Sequence, residues 1–226
     1  MNNRDFISNL IEEHIQWRVT ELALIKKIYL KLQTREEKRF FLQSSIPTIY
    51  AIWEGFVKKV LKSLLQYLDT KEIPAENISE ELFVWSLSDK IRALKDSEDF
   101  KKKIKNSQIL IQALGNEVRF SKFKIDTKSN LNDKVLKELC ANFGLFEIEE
   151  FFSDDELIGL KKLIEKRNII AHGGQNALVI ESLDDVQKYI VLVTKLMDNW
   201  ILFIDDFLEN EKYLKAVDTN EPKQNP

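Results

Sequence analysis

The sequence predicts an all-α protein: an up-and-down bundle of four to five long helices with a helical, partly irregular insertion. Six Gly and four Pro are few for 226 residues, so the chain lacks the frequent turns that many short strands need. Apolar residues recur at three- and four-residue spacing over long stretches, as they do in amphipathic helices. With 44% apolar and 31% charged residues, the composition is that of an ordinary globular protein.

The apolar periodicity indicates a first helix over about residues 4–33 and a second over about 36–69. Pro47 follows two serines, so the second helix either kinks there or restarts with a serine cap. Further helices are predicted over 79–95, 98–113 and 129–144, whereas the alternating residues 117–125 favour an extended piece or a hairpin edge.

Two helices are predicted near the end of the chain. Ser153 and Glu156 have the spacing of a capping box, and the helix that they begin ends near Gly173. A last helix over about 182–214 begins at Ser182, which can cap with Asp185. We expect one domain over residues 1–215, with 70–128 inserted into it, and a disordered polar tail at 216–226.

Several classes of protein are disfavoured. One cysteine, Cys140, cannot form an internal disulfide, and no Cys/His cluster has the spacing of a metal site, so neither a metal nor a cofactor is expected. The first residues do not resemble a signal peptide. Lys195 and Asp198 interrupt the most apolar late stretch, so no membrane span is expected and a cytoplasmic protein is predicted. Cys140 and His14 are interpreted as packing residues.

Charge is unevenly distributed along the chain. Residues 90–137 hold 13 Lys/Arg against 6 Asp/Glu, whereas residues 138–160 hold seven acids and no base. One interpretation is a basic face for phosphates, and the other is a solvated helical surface on which the two blocks partly neutralise each other. Under the first, the predicted nucleic-acid contacts are the lysines Lys101, Lys102, Lys103, Lys105, Lys122, Lys124 and Lys166.

The stretch EKRNIIAHGG (165–174) also has two interpretations. Basic residues in a last turn followed by Gly are ordinary signals for the end of a helix. Alternatively, Arg167 and His172 can cut RNA through attack of its 2′-OH on the adjacent phosphate. Histidine suits proton transfer near neutral pH, and the arginine fork suits phosphate oxygens. One chain supplies one such histidine, so an acid and a base would require a symmetric dimer.

KRNIIAHG (166–173) resembles the Arg-polar-x3-His motif of the HEPN superfamily. IYAIWEGFVKKVL (49–61) and SNLNDKVLKELCANFGL (129–145) are similar to its stand-alone bacterial branch, which is RiboL-PSP-HEPN-like and is associated with RNA-cleaving toxins and phage defence. The resemblance implies a dimeric helical bundle with a metal-independent RNase site across the dimer cleft. It implies catalytic roles for Arg167 and His172 and a supporting role for Asn168.

The role of Glu54 stays open at this point. The carboxylate lies at the border of an apolar helix face, where it either reaches solvent or a nearby lysine, or holds Arg167 or His172 in place. The predicted function is an endoribonuclease acting as the toxic effector of a toxin–antitoxin or phage-defence system, with RNA and an antitoxin or defence protein as partners. The alternative is a non-catalytic adaptor that binds a nucleotide, an RNA or a partner protein.

Overall fold

A computed structural model describes residues 2–114, 118–128, 130–173 and 182–216, and over these residues the protein is helical without a strand. The all-α prediction is therefore confirmed. The helices are α1 (Asn3–His14), α2 (Gln16–Tyr29), α3 (Arg35–Asp69), α4 (Glu80–Lys95), α5 (Phe100–Leu114), α6 (Asp133–Ala141), α7 (Asp154–Ala171) and α8 (Leu183–Glu209). Short 3-10 turns occupy Ala75–Asn77, Phe120–Lys122 and Ile148–Glu150.

The 35-residue helix α3 is the centre of the bundle, and it packs against α1, α2, α7 and α8. It begins with a reciprocal cap in which the Glu37 amide donates to Thr34 Oγ1 at 3.1 Å and the Thr34 amide donates to Glu37 Oε2 at 2.9 Å. Apolar side chains recur around most of its second half, as a helix surrounded by other helices requires.

The prediction of one continuous helix over about residues 4–33 is wrong in two respects. The structure divides it at Ile15 into α1 and α2, and α2 ends at Tyr29 rather than near residue 33. Arg18 is buried, and its Nη1 donates to the His14 carbonyl oxygen at 2.7 Å. A side chain that enters the backbone hydrogen-bond ladder in this way bends a helix, which explains a break that apolar spacing cannot predict.

Pro47 does not divide α3, so the prediction of a restart with a serine cap is wrong. The hydroxyls of Ser44 and Ser45 donate back to the Phe41 carbonyl oxygen at 3.0 and 2.8 Å, as serines inside a helix do. The backbone therefore stays helical from Arg35 to Asp69.

Aromatic side chains join α3 to α8 and to the turn after α6. Trp53 of α3 and Trp200 of α8 are fully buried and meet edge to face, with their ring centroids 6.4 Å apart. Phe143 contacts Phe207 of α8 at 5.2 Å and Trp85 of α4 at 5.4 Å, so it connects the inserted helices to the bundle core.

The predicted insertion contains α4 and α5, which pack against each other, and a returning segment of residues 118–128 that we call the strap. The amides of Phe120 and Ser121 donate to the Asp69 carboxylate at 2.6 and 3.1 Å, at the end of α3. The Thr127 hydroxyl donates to Glu54 Oε1 at 2.6 Å, fifteen residues back along α3. The strap thus runs along α3 for about 22 Å, at 1.5 Å per helical residue.

Of the two alternatives for residues 117–125, the hairpin edge is wrong and the extended piece is partly right for the described residues 118–125. They form a 3-10 turn at Phe120–Lys122 with extended backbone at Arg119 and Phe123. No second strand faces the strap among the described residues, because it lies against a helix.

The last helix is shorter than predicted, since α8 ends at Glu209 instead of residue 214. Its start is as predicted, with the Asp185 amide donating to Ser182 Oγ at 3.2 Å. Glu211 has a φ of +49°, which stops the helix and turns the chain back, so that Leu214 forms a single antiparallel bridge with Ile78.

No helix of the described residues has both the length and the apolar character that a membrane crossing demands. The division into one domain with a 70–128 insertion stays a prediction. The predicted tail lies outside the described residues except for residue 216.

Glu156 fixes the start of α7 and joins α7 to α8. Its carboxylate accepts from the Ser153 amide at 2.8 Å and from Asn199 Nδ2 at 3.0 Å, and it pairs with Lys195 Nζ at 2.7 Å. We expect Glu156→Ala to lower the free energy of unfolding by about 2 kcal/mol, because it removes a cap and a largely buried charged acceptor. Urea titration followed by circular dichroism measures this change.

Glu149 supplies the control, because its carboxylate pairs with Lys137 Nζ at 2.7 Å on the surface, where both side chains are about half exposed. Glu149→Ala should cost less than about 1 kcal/mol. Equal losses of stability in the two variants would contradict the role assigned to Glu156.

Candidate functional site

The stretch that the sequence singles out lies at the end of α7. Arg167 and Asn168 belong to its last turns and are half-buried, whereas His172 caps the helix and is exposed. The His172 amide still donates to the Asn168 carbonyl oxygen at 3.0 Å, and Gly173 then takes a φ of +67°. The predicted helix end is confirmed, since only Gly adopts this backbone conformation without strain.

The Arg167 guanidinium is held by neutral groups. Its Nη1 donates to Asn130 Oδ1 at 3.1 Å and to Asn168 Oδ1 at 2.9 Å. Its Cζ lies 5.3 Å from the centroid of the Tyr50 ring, within the range of a cation–π contact. Both hydrogen bonds use one nitrogen and neither acceptor is charged, so the positive charge is oriented without being neutralised.

Glu54 does not pair with Arg167 or with His172 in the described structure. Its Oε1 accepts from Thr127 at 2.6 Å and from Lys58 Nζ at 2.9 Å. The prediction that Glu54 pairs with a nearby lysine is therefore the one that the structure bears out. The carboxylate acts on the site indirectly, because its negative charge raises the pKa of Tyr50, whose hydroxyl accepts from the Leu131 amide at 2.7 Å.

Tyr50 is buried between Glu54 and Arg167. Burial raises the pKa of Tyr50 to about 12, and the neighbouring Glu54 carboxylate raises it too. The phenol therefore keeps its proton near neutral pH and cannot act as a base there. Its role is structural: the hydroxyl fixes the backbone at Leu131, and the ring supports the guanidinium.

Three residues of this site were not singled out by the sequence: Tyr50, Thr127 and Asn130. Tyr50 lies one turn before Glu54 on an apolar face, where it is counted as core. Thr127 lies at the end of the insertion and Asn130 just after it. Thr127 contacts a residue 73 positions away, and Asn130 contacts one 37 positions away. No local spacing predicts such pairs. The one available signal was the alternation of the strap, which places Thr127 on its inner side.

The arginine and the histidine make no direct contact within one chain. No hydrogen bond or ring contact joins Arg167 to His172 among the described residues, and His172 is exposed at the end of α7. Nor do the described residues gather three His, Cys, Asp or Glu side chains into a metal site.

The predicted nucleic-acid contacts lie on three surfaces. On α5, the exposed lysines are Lys101, Lys102, Lys103 and Lys105. On the strap, Lys122 and Lys124 are exposed, and at the end of α7 Lys166 is half-buried beside Arg167. Two ion pairs, Lys137–Glu149 and Lys128–Glu138, join the basic and acidic blocks, so these blocks partly neutralise each other.

The two packing residues behave as predicted. Cys140 is fully buried, and burial raises the pKa of its thiol to about 12. His14 is mostly buried against Ser63 Oγ at 3.2 Å, and burial lowers its pKa. Neither contributes a titrating group near the end of α7.

Comparison with protein families gives one result. The family model described as MAE_28990-like HEPN matches residues 7–213, which is most of the chain. No curated protein sequence matches the chain. No solved structure matches it either. The resemblance to HEPN proteins is thereby confirmed at the level of the superfamily, while the RiboL-PSP-like branch stays a prediction.

The Tyr50 hydroxyl offers a test of this arrangement. We expect Tyr50→Phe to lower the free energy of unfolding by about 1–3 kcal/mol, because the buried Leu131 amide loses its acceptor. We also expect faster hydrogen exchange at Leu131 and its neighbours, measured by mass spectrometry. In contrast, Tyr29→Phe removes a hydroxyl that has no hydrogen bond to the described residues, and it should leave both quantities nearly unchanged. Unaltered exchange in Tyr50→Phe would contradict the anchoring role.

Proposed function

The chain belongs to the HEPN superfamily, and from that premise we propose that it is a metal-independent endoribonuclease. HEPN domains serve as RNases and as nucleotide-binding modules, and membership is consistent with both. The observation that favours cleavage is the state of Arg167. Its guanidinium is oriented by Asn130 and Asn168 and keeps its charge, because the nearby Glu54 is paired with Lys58.

The proposed reaction is a transesterification. A base removes the proton of the RNA 2′-OH, and the O2′–P bond forms as the P–O5′ bond breaks. An acid then protonates the departing O5′, so that the products are a 2′,3′-cyclic phosphate and a 5′-OH. Proton transfer by His172 contributes at both ends of this reaction, and Arg167 stabilises the charge that accumulates on the phosphorane oxygens.

Asn168, Asn130 and Glu54 have supporting roles in this proposal. The two asparagines hold one edge of the guanidinium and leave the other edge for phosphate oxygens. Glu54 supports the site from behind, because it holds Thr127 of the strap one helical turn from Tyr50, the residue whose ring carries Arg167.

A second copy of the chain completes the proposed site. One chain supplies one histidine at the end of α7, whereas the reaction uses a base and an acid. His172 is exposed and its side chain has no hydrogen-bond partner among the described residues, so the imidazole is accessible to a facing subunit. We therefore propose a symmetric homodimer in which two α7 ends face one RNA phosphate.

The biological role that fits such an enzyme is that of a toxic effector in a toxin–antitoxin or phage-defence system. RNA is its substrate, and an antitoxin or another defence protein restrains it. The alternative function is a non-catalytic adaptor for a nucleotide, an RNA or a protein. The lack of a direct contact between Arg167 and His172 among the described residues favours that alternative if the protein is a monomer.

The decisive experiment is RNA cleavage in the presence of EDTA. His172→Ala and Arg167→Ala should each reduce the rate at least about 100-fold, because each removes a group that acts in the transition state. Wild-type products should carry 2′,3′-cyclic phosphate ends. His172 is exposed, so His172→Ala should keep the wild-type melting temperature. Cleavage by His172→Ala at the wild-type rate would refute the proposal.

The dimer is tested by mixing subunits. Wild-type and His172→Ala proteins are combined in equal amounts at constant total protein, and the subunits are allowed to exchange. If both histidines serve one site, about a quarter of the all-wild-type activity should remain, since only that fraction of dimers has two histidines. About half would indicate independent subunits. Sedimentation velocity on the same samples establishes whether dimers form.

A further inference from the structure

A basic groove lies beside the candidate site and is separate from it. It is bounded by α4, the strap and α6, and its cavity volume is about 560 Å³. Six cationic side chains and three acidic ones line it; the cations are Lys90, Arg92, Arg119, Lys122, Lys124 and Lys128, and the acids are Asp89, Asp126 and Glu138. None of the α5 lysines lines this groove.

The strap places its cations in a row. Lys122, Lys124 and Lys128 line the groove, whereas Ile125 packs against the core and Thr127 is buried against α3. The backbone is extended at Phe123, where the rise is about 3.3 Å per residue. Lys122 and Lys124, which flank it, are therefore about 6.6 Å apart along the strap, which is close to the separation of phosphates in an extended RNA strand.

Aromatic rings form part of the groove wall. Trp85 of α4 is half-buried and meets Phe123 of the strap edge to face, with their centroids 4.8 Å apart. Both rings line the groove. A partly exposed indole beside a row of cations is the combination with which proteins hold single-stranded nucleic acid, since bases stack on the ring and phosphates meet the charges.

The row of cations leads toward Arg167. Lys128 is the last lysine of the strap, and Asn130, two residues later, accepts a hydrogen bond from Arg167 at 3.1 Å. Two residues span at most about 7 Å between their Cα atoms. The groove therefore ends within the reach of one long side chain from the residues that orient the guanidinium.

We propose that this groove binds a single strand of RNA and guides it to Arg167. That the strand is guided to Arg167 rests on the proposed function, whereas binding of the strand in the groove does not require cleavage. A strand fits better than a mononucleotide, because the cations are spread over about 20 Å of extended strap, from Lys122 to Lys128, instead of converging on one phosphate.

The acidic residues of the groove do not prevent this binding. Lys128 pairs with Glu138, and Arg92 lies 3.8 Å from Asp89, but all four side chains are about half exposed or more. Ion pairs at such positions contribute at most about 1 kcal/mol, so a phosphate can replace the carboxylate as the partner of the cation.

The test is fluorescence anisotropy with the full chain and a short, labelled, fully 2′-O-methylated RNA, which has no 2′-OH and cannot be cleaved. Lys122→Glu/Lys124→Glu should weaken binding by at least about tenfold and reduce the dependence of log affinity on log salt by about 2, because two phosphate contacts are lost. Circular dichroism checks that these exposed substitutions leave the fold intact.

The matched control is Lys26→Glu/Lys27→Glu, which makes the same change of charge on exposed residues of α2 outside the groove. It should weaken binding by less than about threefold. Equal weakening by both double variants would mean that affinity follows net charge, and it would contradict the proposal that the groove binds RNA. So would failure of the wild-type protein to bind the probe.

Two further comparisons distinguish a strand from a mononucleotide as the ligand, and binding from cleavage. Displacement of the probe by AMP at the concentration at which unlabelled RNA displaces it would indicate a mononucleotide pocket and overturn the strand proposal. If wild type binds the probe and does not cleave unmodified RNA, the proposed function fails while the groove stands.

Discussion

The Tyr50 hydroxyl is the junction at which three distant parts of the chain are joined. It belongs to α3 and accepts from the Leu131 amide before α6, while the ring of the same residue carries the Arg167 guanidinium of α7. The junction is buried, so each partner must be present or a polar group is left without a hydrogen bond at considerable cost. The candidate site is thus set by a core contact, not by a surface loop.

Glu54 shows why charge balance matters at this junction. A carboxylate bonded directly to Arg167 would position the guanidinium but would also neutralise it. Here the carboxylate is neutralised by Lys58, and amide oxygens do the positioning. The strap likewise separates a structural role from a surface role. Thr127 turns inward to Glu54, while the lysines on either side line a groove. One short segment therefore supports the site and borders the neighbouring surface.

Local patterns predicted most of the fold, because helix formation and capping depend on residues three or four positions apart. The Ser153–Glu156 cap, the Ser182 cap and the end of α7 at Gly173 follow from such patterns. The break at Ile15 does not, since it depends on where a buried Arg18 guanidinium finds an acceptor. Arg167 and His172 were predictable from the motif, whereas Asn130 was not, because its contact with Arg167 arises only when the insertion folds back.

The chain leaves α3 and first returns to it at the same place. It leaves after Asp69, and the Asp69 carboxylate receives the amides of Phe120 and Ser121, near the start of the strap. Within this excursion α4 also packs on the core, because Trp85 contacts Phe143, whereas the described side chains of α5 are exposed or half-buried. Because the cost of closing a loop grows slowly with its length, α5 can be lengthened, shortened or exchanged without moving the strap. It is therefore the part of the excursion on which a new specificity can be built while the residues around Arg167 stay in place.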